Sequence, residues 1–413
     1  MKKILHNASQ VITVNTDGKN CKRGNEMADI DVVENSSIIV EDNIIADIVP
    51  ANSVKNISGC QSFDLSGKTV LPGLVECHTH AAFAGSRADE FRQKIAGRTY
   101  EEIASYGGGI TTTVKAVREA SFNELVNLVK PRIDYFIAHG VTTLEIKSGY
   151  GLDTSNEIKL LEVINYLNSV YAIDIIPTFL GAHTFPGQYM DNHEAYINEI
   201  TGLMIPAAAR KKLAVFCDAF CEDTAFSAEE TEKIFLAAAN NGLKLKLHTE
   251  QFNNIGGINT ALNFGAASAD HLEMIKEDDI RLIADSDTVA VLLPGVSFFL
   301  DYNYAPAVKL IQNNAIVALA TDYNPGSSFI ADPNLIMSFA SIKMKMKIEE
   351  TISAYTINSA RALNLSHDRG SIEINKKADF AIFNTDDYSD IIYNVGRNLN
   401  CMTFKNGELI YSV

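Results

Sequence analysis

Short alternations of apolar and polar residues mark both ends of the chain as β-rich. Residues 37–49 contain two apolar runs separated by an acidic turn sequence at 41–43, which predicts a hairpin. Residues 370–383 lead through a turn into another strand, and residues 395–413 offer a strand pair around the Asn-Gly dipeptide at 406–407. We therefore expect one small β-sandwich-like domain built from both termini.

The middle of the chain alternates between helical and buried-strand patterns. Helix starts are indicated by Ser or Thr followed three residues later by Glu, a pair that can close a capping box. These pairs are Thr99 with Glu102, Ser121 with Glu124, Thr154 with Glu157, and Ser227 with Glu230. Eight apolar runs typical of buried parallel strands lie around them. They cover residues 69–77, 142–147, 174–180, 214–218, 244–247, 266–269, 288–293 and 316–320.

Eight such strands over about 250 residues have the count and span of a (β/α)8 barrel. We therefore predict an α/β chain whose TIM-type barrel, at 71–365, carries the catalytic site. Residues 1–70 and 366–413 would supply the two parts of the β domain. Functional residues in this fold lie at the C-terminal ends of the strands, so the residues after each run become the candidates.

Composition narrows the classes of partner. The chain has 413 residues, of which 46% are hydrophobic and 21% charged, an ordinary globular balance. Its net charge of −16 disfavours nucleic acid and anionic membrane surfaces as partners. An anionic small-molecule substrate would therefore need a local cation in its pocket.

The cysteines and the apolar runs indicate a compartment. Six cysteines in so long a chain do not form a disulfide framework, which favours reduced thiols. The start of the chain lacks the apolar stretch of a secretory signal, and no run approaches the length of a membrane span. We expect a cytoplasmic protein without membrane contact.

Candidate chemistry is concentrated after the predicted strands. Five of the nine histidines and one aspartate lie there: His78, His80, His183, His248, His271 and Asp322. Residues two apart in a strand face the same side, so His78 and His80 can reach one ion. Together with His248 and Asp322 they suit zinc or a similar divalent ion. Such an ion lowers the pKa of a bound water towards 7.

The amino-acid sequence around these residues resembles that of a known enzyme family. The segment PGLVECHTH at 72–80, with His248, His271 and Asp322, is similar to the amidohydrolase superfamily. Further segments narrow the resemblance to the imidazolonepropionase family, and they extend it over about 70–330. They are HTHAAFAGSRADEF at 78–91, GGGI at 107–110, EIKSGYGL at 145–152, TFLGAH at 178–183, SADHL at 268–272 and ATDYNPGS at 320–327.

The resemblance implies a reaction and a cofactor. Members of this family hydrolyse 4-imidazolone-5-propanoate to N-formimidoyl-L-glutamate, the third step of histidine degradation. The resemblance assigns one zinc or iron ion per chain to His78, His80, His248 and Asp322. It also favours a homodimer, in line with the frequency of twofold symmetry.

The remaining site residues follow from the same resemblance. Arg87 would clamp the propanoate carboxylate, for which a guanidinium fork is well suited. His271 would orient the water or move its proton, with Asp322 as a relay to the leaving nitrogen. The chemistry of the reaction adds that the oxyanion of the tetrahedral intermediate needs a donor, for which His183 or the ion itself could serve. The substrate pocket would be lined by Tyr150, His183, Asn324, Gly326 and Ser327.

One position departs from much of the family. Many members carry an acidic residue three positions after the histidine of the fifth strand, where this chain has Gln251. An amide takes up no proton at neutral pH, so Gln251 is expected to contact substrate instead. Glu250 should face the other side of the extended segment. Proton handling is therefore assigned to His271 and Asp322.

Other interpretations stay open. The chain could be a different amidohydrolase, such as another cyclic-amide hydrolase or a nucleobase deaminase, or an inactive scaffold. Binuclear relatives carboxylate a lysine of the fourth strand; this chain has none there, which favours a single ion. A scaffold should have lost metal ligands, whereas all four are present. Among single residues, Arg87 could pair with a nearby carboxylate, Tyr150 could pack, and His271 could be structural.

Overall fold

Sixteen strands form two sheets in the described part of the chain. The structure is a computed structural model that describes residues 2–53, 60–98 and 108–413. In chain order, β1 to β16 are Lys2–Ile12, Val32–Glu41, Ile44–Pro50, Gln61–Asp64, Thr69–Pro72, Leu74–Glu76, Val141–Lys147, Asp174–Ala182, Phe216–Cys221, Lys244–Thr249, Ser268–His271, Val289–Leu292, Val317–Leu319, Phe380–Phe383, Asn400–Lys405 and Glu408–Ser412.

The second sheet, β6 to β13, is the parallel barrel. Its strands follow one another in chain order, and every neighbouring pair is parallel. The ends meet just beyond the strands, where Thr79 pairs with Tyr323 and the amide of His80 donates to the carbonyl of Tyr323 at 3.0 Å. The predicted barrel is confirmed, and its closure brings the first and eighth strand ends together.

Helices surround the barrel and cover its outer face. In β7, Leu144 and Ile146 belong to the main apolar core, whereas Glu145 and Lys147 are buried on the inner side of the same strand. The described α-helices, α1 to α15, are Ala88–Ile95, Ile110–Glu119, Phe122–Ala138, Thr154–Val170, His193–Glu199, Ile205–Arg210, Ala228–Asn240, Gly257–Asn263, Glu277–Ala284, Pro294–Leu300, Ala307–Gln312, Pro333–Met344, Ile348–Ser353, Ser359–Ala362 and Ser389–Tyr393. None of these helices combines the length and apolarity needed to span a bilayer.

The other sheet joins both termini, as predicted. Its order is β16-β15-β14-β5-β1-β2-β3, with β4 also paired to β1. The hairpin between β2 and β3 turns at residues 42–43, and the Asn-Gly turn at 406–407 has positive φ at both residues. A separate apolar cluster, which includes Leu5, Val40 and Phe380, forms its core.

The first predicted barrel strand was wrong in one respect, because the run 69–77 is divided at Gly73. The amide of Gly73 donates to the carbonyl of Asp379, directly before β14 of the terminal sheet. The amide of Leu74 donates to the carbonyl of Gly140, directly before β7 of the barrel. A Cβ on Gly73 would lie 2.3 Å from the Thr142 hydroxyl oxygen, so only glycine fits where the chain changes sheets.

The helix starts were predicted with mixed success. Ser121 and Ser227 form capping boxes with their glutamates. The box at Thr154 was wrong, because Asp153 caps that helix and Glu157 instead accepts the amides of Gly149, Gly151 and Leu152. The pair Thr99 and Glu102 lies outside the described residues.

Candidate active site

Four side chains from the ends of three barrel strands, β6, β10 and β13, converge on one point. The Nε2 atoms of His78 and His80 lie 3.3 and 3.2 Å from Oδ1 of Asp322, and the Nε2 atoms of His80 and His248 are 3.3 Å apart. All four residues are buried. The residues predicted as metal ligands from the sequence are thus brought together by the fold.

The spacing of these atoms fits a metal ion. Ligand atoms about 2.0–2.1 Å from a tetrahedral zinc ion are themselves about 3.3–3.4 Å apart. The Nε2 atom of His78 and Oδ1 of Asp322 are buried and have no hydrogen-bond partner in the protein. Burying polar atoms without a partner raises the free energy of the folded protein, and a divalent cation would supply the missing partner.

Two aspartates orient the histidine ligands from behind. The Nδ1 atom of His78 lies 2.6 Å from Oδ2 of Asp270, and Nδ1 of His248 lies 3.0 Å from Oδ1 of Asp218. A carboxylate at Nδ1 keeps the proton there, which leaves Nε2 free as a ligand. The sequence analysis did not assign these aspartates, although both lie in predicted strands or at their ends.

Two buried lysines neutralise those aspartates. Nζ of Lys147 lies 2.7 Å from Glu145 and 2.9 Å from Asp218, and Nζ of Lys246 lies 3.5 Å from Asp270. Burial disfavours the charge of the aspartates. The pKa values are nevertheless lowered, that of Asp218 by His248 and Lys147, and that of Asp270 by Lys246 and His78. Both aspartates therefore stay ionised behind the ligands.

His271 stands beside the ligand set. One ring nitrogen each from His78, His248 and His271 forms a second group within 4.8 Å. The backbone of His271 has φ of 88°, a conformation that non-glycine residues rarely adopt. Its Nδ1 atom lies 3.6 Å from Oε2 of Glu273, a residue that the sequence analysis missed.

His183 has its tautomer set by the backbone. Its Nδ1–H donates to the carbonyl of Gly149 at 2.9 Å, and its ring stacks on that of His80 with centroids 5.0 Å apart. Burial and then His80 lower the pKa of His183 to about 3, so the ring is neutral. With its one proton on Nδ1, His183 has an acceptor at Nε2 and cannot donate to an oxyanion there. The structure contradicts the expected oxyanion role.

Arg87 is held in place by a carboxylate. Its Nε donates to Oε2 of Glu90 at 2.7 Å, and only 10% of its side chain is exposed. The guanidinium lies against Gly326, where a Cβ would come within 2.0 Å of Nη1. The ion pair of Arg87 with a nearby carboxylate, considered from the sequence, therefore exists, and it is mostly buried. Nη1 of the same guanidinium lies against Gly326, one of the residues predicted to line the substrate pocket.

Asn324 shapes that loop. Its amide nitrogen donates to the carbonyl of Asp322 at 2.7 Å and to the Ser327 hydroxyl at 2.8 Å, while its Oδ1 accepts the amides of Gly326 and Ser327. Little bonding capacity is left for a ligand. Asn324 therefore acts on the pocket mainly by fixing the positions of Gly326 and Ser327 beside Asp322.

The two remaining lining residues are also buried. The ring of Tyr150 lies 5.4 Å from that of His183, and Nε2 of Gln251 donates to the Tyr302 hydroxyl at 3.4 Å. Glu250 has other neighbours, since burial and then the Asp279 carboxylate raise its pKa to about 8. Its φ of 57° shows that the segment is not extended here, whereas the sequence-based expectation for Glu250 and Gln251 assumed that it is.

Comparisons with known proteins agree with this architecture and site. The profile of the Amidohydrolase family matches residues 69–410. An imidazolonepropionase of Clostridium tetani is 43% identical over 99% of this chain and 98% of its own length. One from Flavobacterium johnsoniae is 41% identical over 98% of this chain and 99% of its own length.

This chain belongs to the imidazolonepropionase family of amidohydrolases. It is accordingly a metal-dependent hydrolase that acts on a small molecule.

Solved structures bear out the fold. A zinc-bound adenosine deaminase from Xanthomonas campestris has a TM-score of 0.73 at 16% identity, and covers 98% of this chain and 92% of its own. A triazine hydrolase variant has a TM-score of 0.76 at 14% identity, with coverage of 100% and 95%.

Proposed function

We propose that this chain opens the ring of 4-imidazolone-5-propanoate to give N-formimidoyl-L-glutamate. One water adds to the ring carbonyl carbon, the bond from that carbon to the ring nitrogen breaks, and the nitrogen takes a proton. The observation that carries the proposal is the convergence of three imidazole nitrogens and one carboxylate oxygen in a member of this family.

We assign one zinc or iron ion per chain to His78, His80, His248 and Asp322. When bound, such an ion polarises a carbonyl as a Lewis acid and makes hydroxide accessible at neutral pH. The donor set of three nitrogens and one oxygen suits either metal. Elemental analysis of the purified protein distinguishes the two.

Two groups are assigned to proton transfer, His271 and the proposed ligand Asp322. They would take a proton from the attacking water and return one to the leaving nitrogen, and their position within the two histidine-rich groups supports this assignment. Burial opposes ionisation of Asp322, but the adjacent rings of His78 and His80 hold its pKa well below the usual range. His271 is then the group that can hold the proton between the two transfers.

The other residues bind and orient the substrate. Arg87 binds the propanoate carboxylate, which an acidic protein surface would otherwise repel. Nε2 of His183 accepts a ring N–H, the role that its tautomer permits. Tyr150, Gln251, Gly326 and Ser327 line the pocket.

The proposal is tested by the loss of imidazolone absorbance with and without a chelator. We expect turnover by the metal-loaded protein, loss of turnover after chelation, and recovery on adding zinc or iron(II). Turnover that a chelator leaves intact in protein shown to be metal-free would refute the assigned chemistry. Absence of turnover by fully metal-loaded protein would refute the substrate.

Oligomeric state and location belong to the same proposal. We assign a cytoplasmic homodimer, supported by six free cysteines and by the frequency of twofold symmetry. Light scattering after size exclusion measures the mass. A mass of 45.2 kDa, that of one chain, would contradict the dimer.

A further inference from the structure

We propose that Glu273 is a positioning residue that holds the ring of His271 in its working tautomer and orientation during turnover. The proposal rests on the proposed function, in which His271 moves a proton. It assigns a role to a carboxylate that no strand-end pattern singles out, and it answers how protons are handled beside Gln251.

The first observation is a set of buried polar atoms that face one another without partners. Nδ1 of His271 and both carboxylate oxygens of Glu273 are buried and accept or donate no hydrogen bond of normal length. The closest pair, Nδ1 and Oε2, is 3.6 Å apart, and the Glu273 side chain is 1% exposed. Catalytic hydrogen bonds are often long in a free enzyme and shorten when substrate binds.

The second observation is the backbone that creates this approach. His271 and Leu272 have φ of 88° and 70°, two consecutive non-glycine residues in the left-handed region. Each such conformation costs about 1–3 kcal/mol and persists where the surroundings demand it. Here it turns the chain directly after β11, so that Glu273 comes back beside the ring of His271.

The arrangement separates the tasks of the two ring nitrogens. With Nδ1–H directed at Glu273, Nε2 is the ring nitrogen left for the reacting groups, and the ring centroid lies 6.0 and 5.5 Å from those of His78 and His248. Nε2 takes a proton from water and later gives it to the leaving ring nitrogen. The proton on Nδ1 stays in place, directed at Glu273.

The neighbouring groups do not offer the same partner. Gln251 bonds the Tyr302 hydroxyl and carries no charge, and Glu250 is grouped with Asp279. Among the described residues, Glu273 is the carboxylate found within 4.0 Å of a His271 ring nitrogen. Tyr302 lies close to Glu273, since burial and then this carboxylate raise the pKa of its phenol.

The first test compares Glu273→Gln with Glu250→Gln. Both glutamates are buried at strand ends and have unpaired oxygens, but only Glu273 faces His271. Loss of such an outer carboxylate typically costs about 10- to 100-fold. We expect kcat of Glu273→Gln to fall by that factor, with KM and bound metal within about threefold, whereas Glu250→Gln keeps the kcat of the wild type. Equal kcat in all three proteins would overturn the proposal.

A double-mutant cycle separates positioning from a general structural effect. If Glu273 acts through His271, Glu273→Gln should cause no further loss of kcat in a His271→Ala background. Losses that multiply in the double variant would mean that Glu273 acts elsewhere, and would also overturn the proposal.

A spectroscopic readout does not depend on turnover. The readout is the NMR signal of His271 in zinc-loaded protein labelled with ¹⁵N-histidine, which the His271→Ala variant identifies by its absence. We expect wild-type His271 to carry its proton on Nδ1. We expect Glu273→Leu to shift the population towards the Nε2–H form. An unchanged tautomer in Glu273→Leu would refute the positioning role. If His271 shows the expected tautomer but the zinc-loaded protein does not turn over the imidazolone, the proposed function would be refuted and the positioning role of Glu273 would not.

Discussion

At the scale of single residues, the site depends on which ring nitrogen of each histidine is already hydrogen-bonded to the protein. The Nδ1 atoms of His78 and His248 face aspartates, which leaves Nε2 for the proposed ion, whereas Nδ1–H of His183 donates to a carbonyl. The same side chain therefore serves as ligand or acceptor according to the group that stands behind it. This explains why five histidines at similar strand ends have different roles.

The ligand assignment predicts the effect of His248→Ala. Removal of one of four ligands should abolish stoichiometric metal binding, because the remaining three atoms no longer enclose the ion. Elemental analysis checks this. The control is His367→Ala, whose side chain is 67% exposed and remote from the ligands in sequence, and which should retain full metal. Full metal content and activity in His248→Ala would contradict the site.

The carboxylate clamp predicts a KM effect for Arg87→Ala. Hydrogen bonds between charged groups contribute about 1.5–3 kcal/mol, which corresponds to an increase in KM of about 10- to 150-fold. The value of kcat should change much less, because Arg87 is not assigned to the reacting atoms. Steady-state kinetics check this against Arg92→Ala, a highly exposed arginine of the same helix. If KM is unchanged, Arg87 does not bind the carboxylate.

At the scale of elements, the first and last barrel strands are joined beneath the metal ligands. Glu76 at the end of β6 accepts the amide of His78 at 3.1 Å and that of Thr321 at 3.2 Å, and it also accepts the Tyr355 hydroxyl. Burial raises the pKa of Glu76 to about 7, although these bonds oppose the rise. One carboxylate therefore closes the barrel at the place from which His78 and Asp322 project.

This closure predicts a stability loss in Tyr355→Phe. A buried carboxylate that loses one donor should lower the free energy of unfolding by about 1–3 kcal/mol. Denaturant unfolding of the metal-loaded protein measures the loss. Tyr393→Phe is the control, because that side chain is 78% exposed and should leave stability unchanged. Equal stabilities of the two variants would show that the closing bond contributes nothing.

At the scale of the whole molecule, the metal site is part of a buried charge network. Lys147 and Lys246 pair with three carboxylates, Glu145, Asp218 and Asp270, and a fourth carboxylate, Asp322, lies beside His78. A divalent cation brings the formal charge of this group to zero. The ion should therefore stabilise the fold as well as the reaction, since buried charges need compensation.

This network predicts that a chelator lowers the melting temperature. A ligand present at about 1,000 times its Kd stabilises the native state by about 4 kcal/mol, and that stabilisation is lost with the metal. Calorimetry with and without chelator checks this. His248→Ala should melt at the temperature of the metal-free wild type and should not respond to chelator. A wild-type melting temperature that chelation leaves unchanged would contradict the network.

Local patterns along the chain predicted the barrel and the terminal sheet, which the structure confirms, and also the four residues proposed as metal ligands. Local periodicity indicates buried strands, and parallel strands of a barrel place their C-terminal ends at one face. These two rules predict that His78, His80, His248 and Asp322 lie close together. The strand prediction failed where two sheets share one apolar run, as at Gly73, because periodicity does not say which neighbour a strand pairs with.

The groups that support those residues are known only from their tertiary contacts. His78 finds Asp270 across 192 positions of sequence, and the role of His183 depends on the carbonyl of Gly149, 34 positions away. Glu273 lies only two residues from His271, yet no pattern reveals that a left-handed backbone turns it back towards the ring. Such contacts are set by backbone path and side-chain direction, which local residue order does not encode.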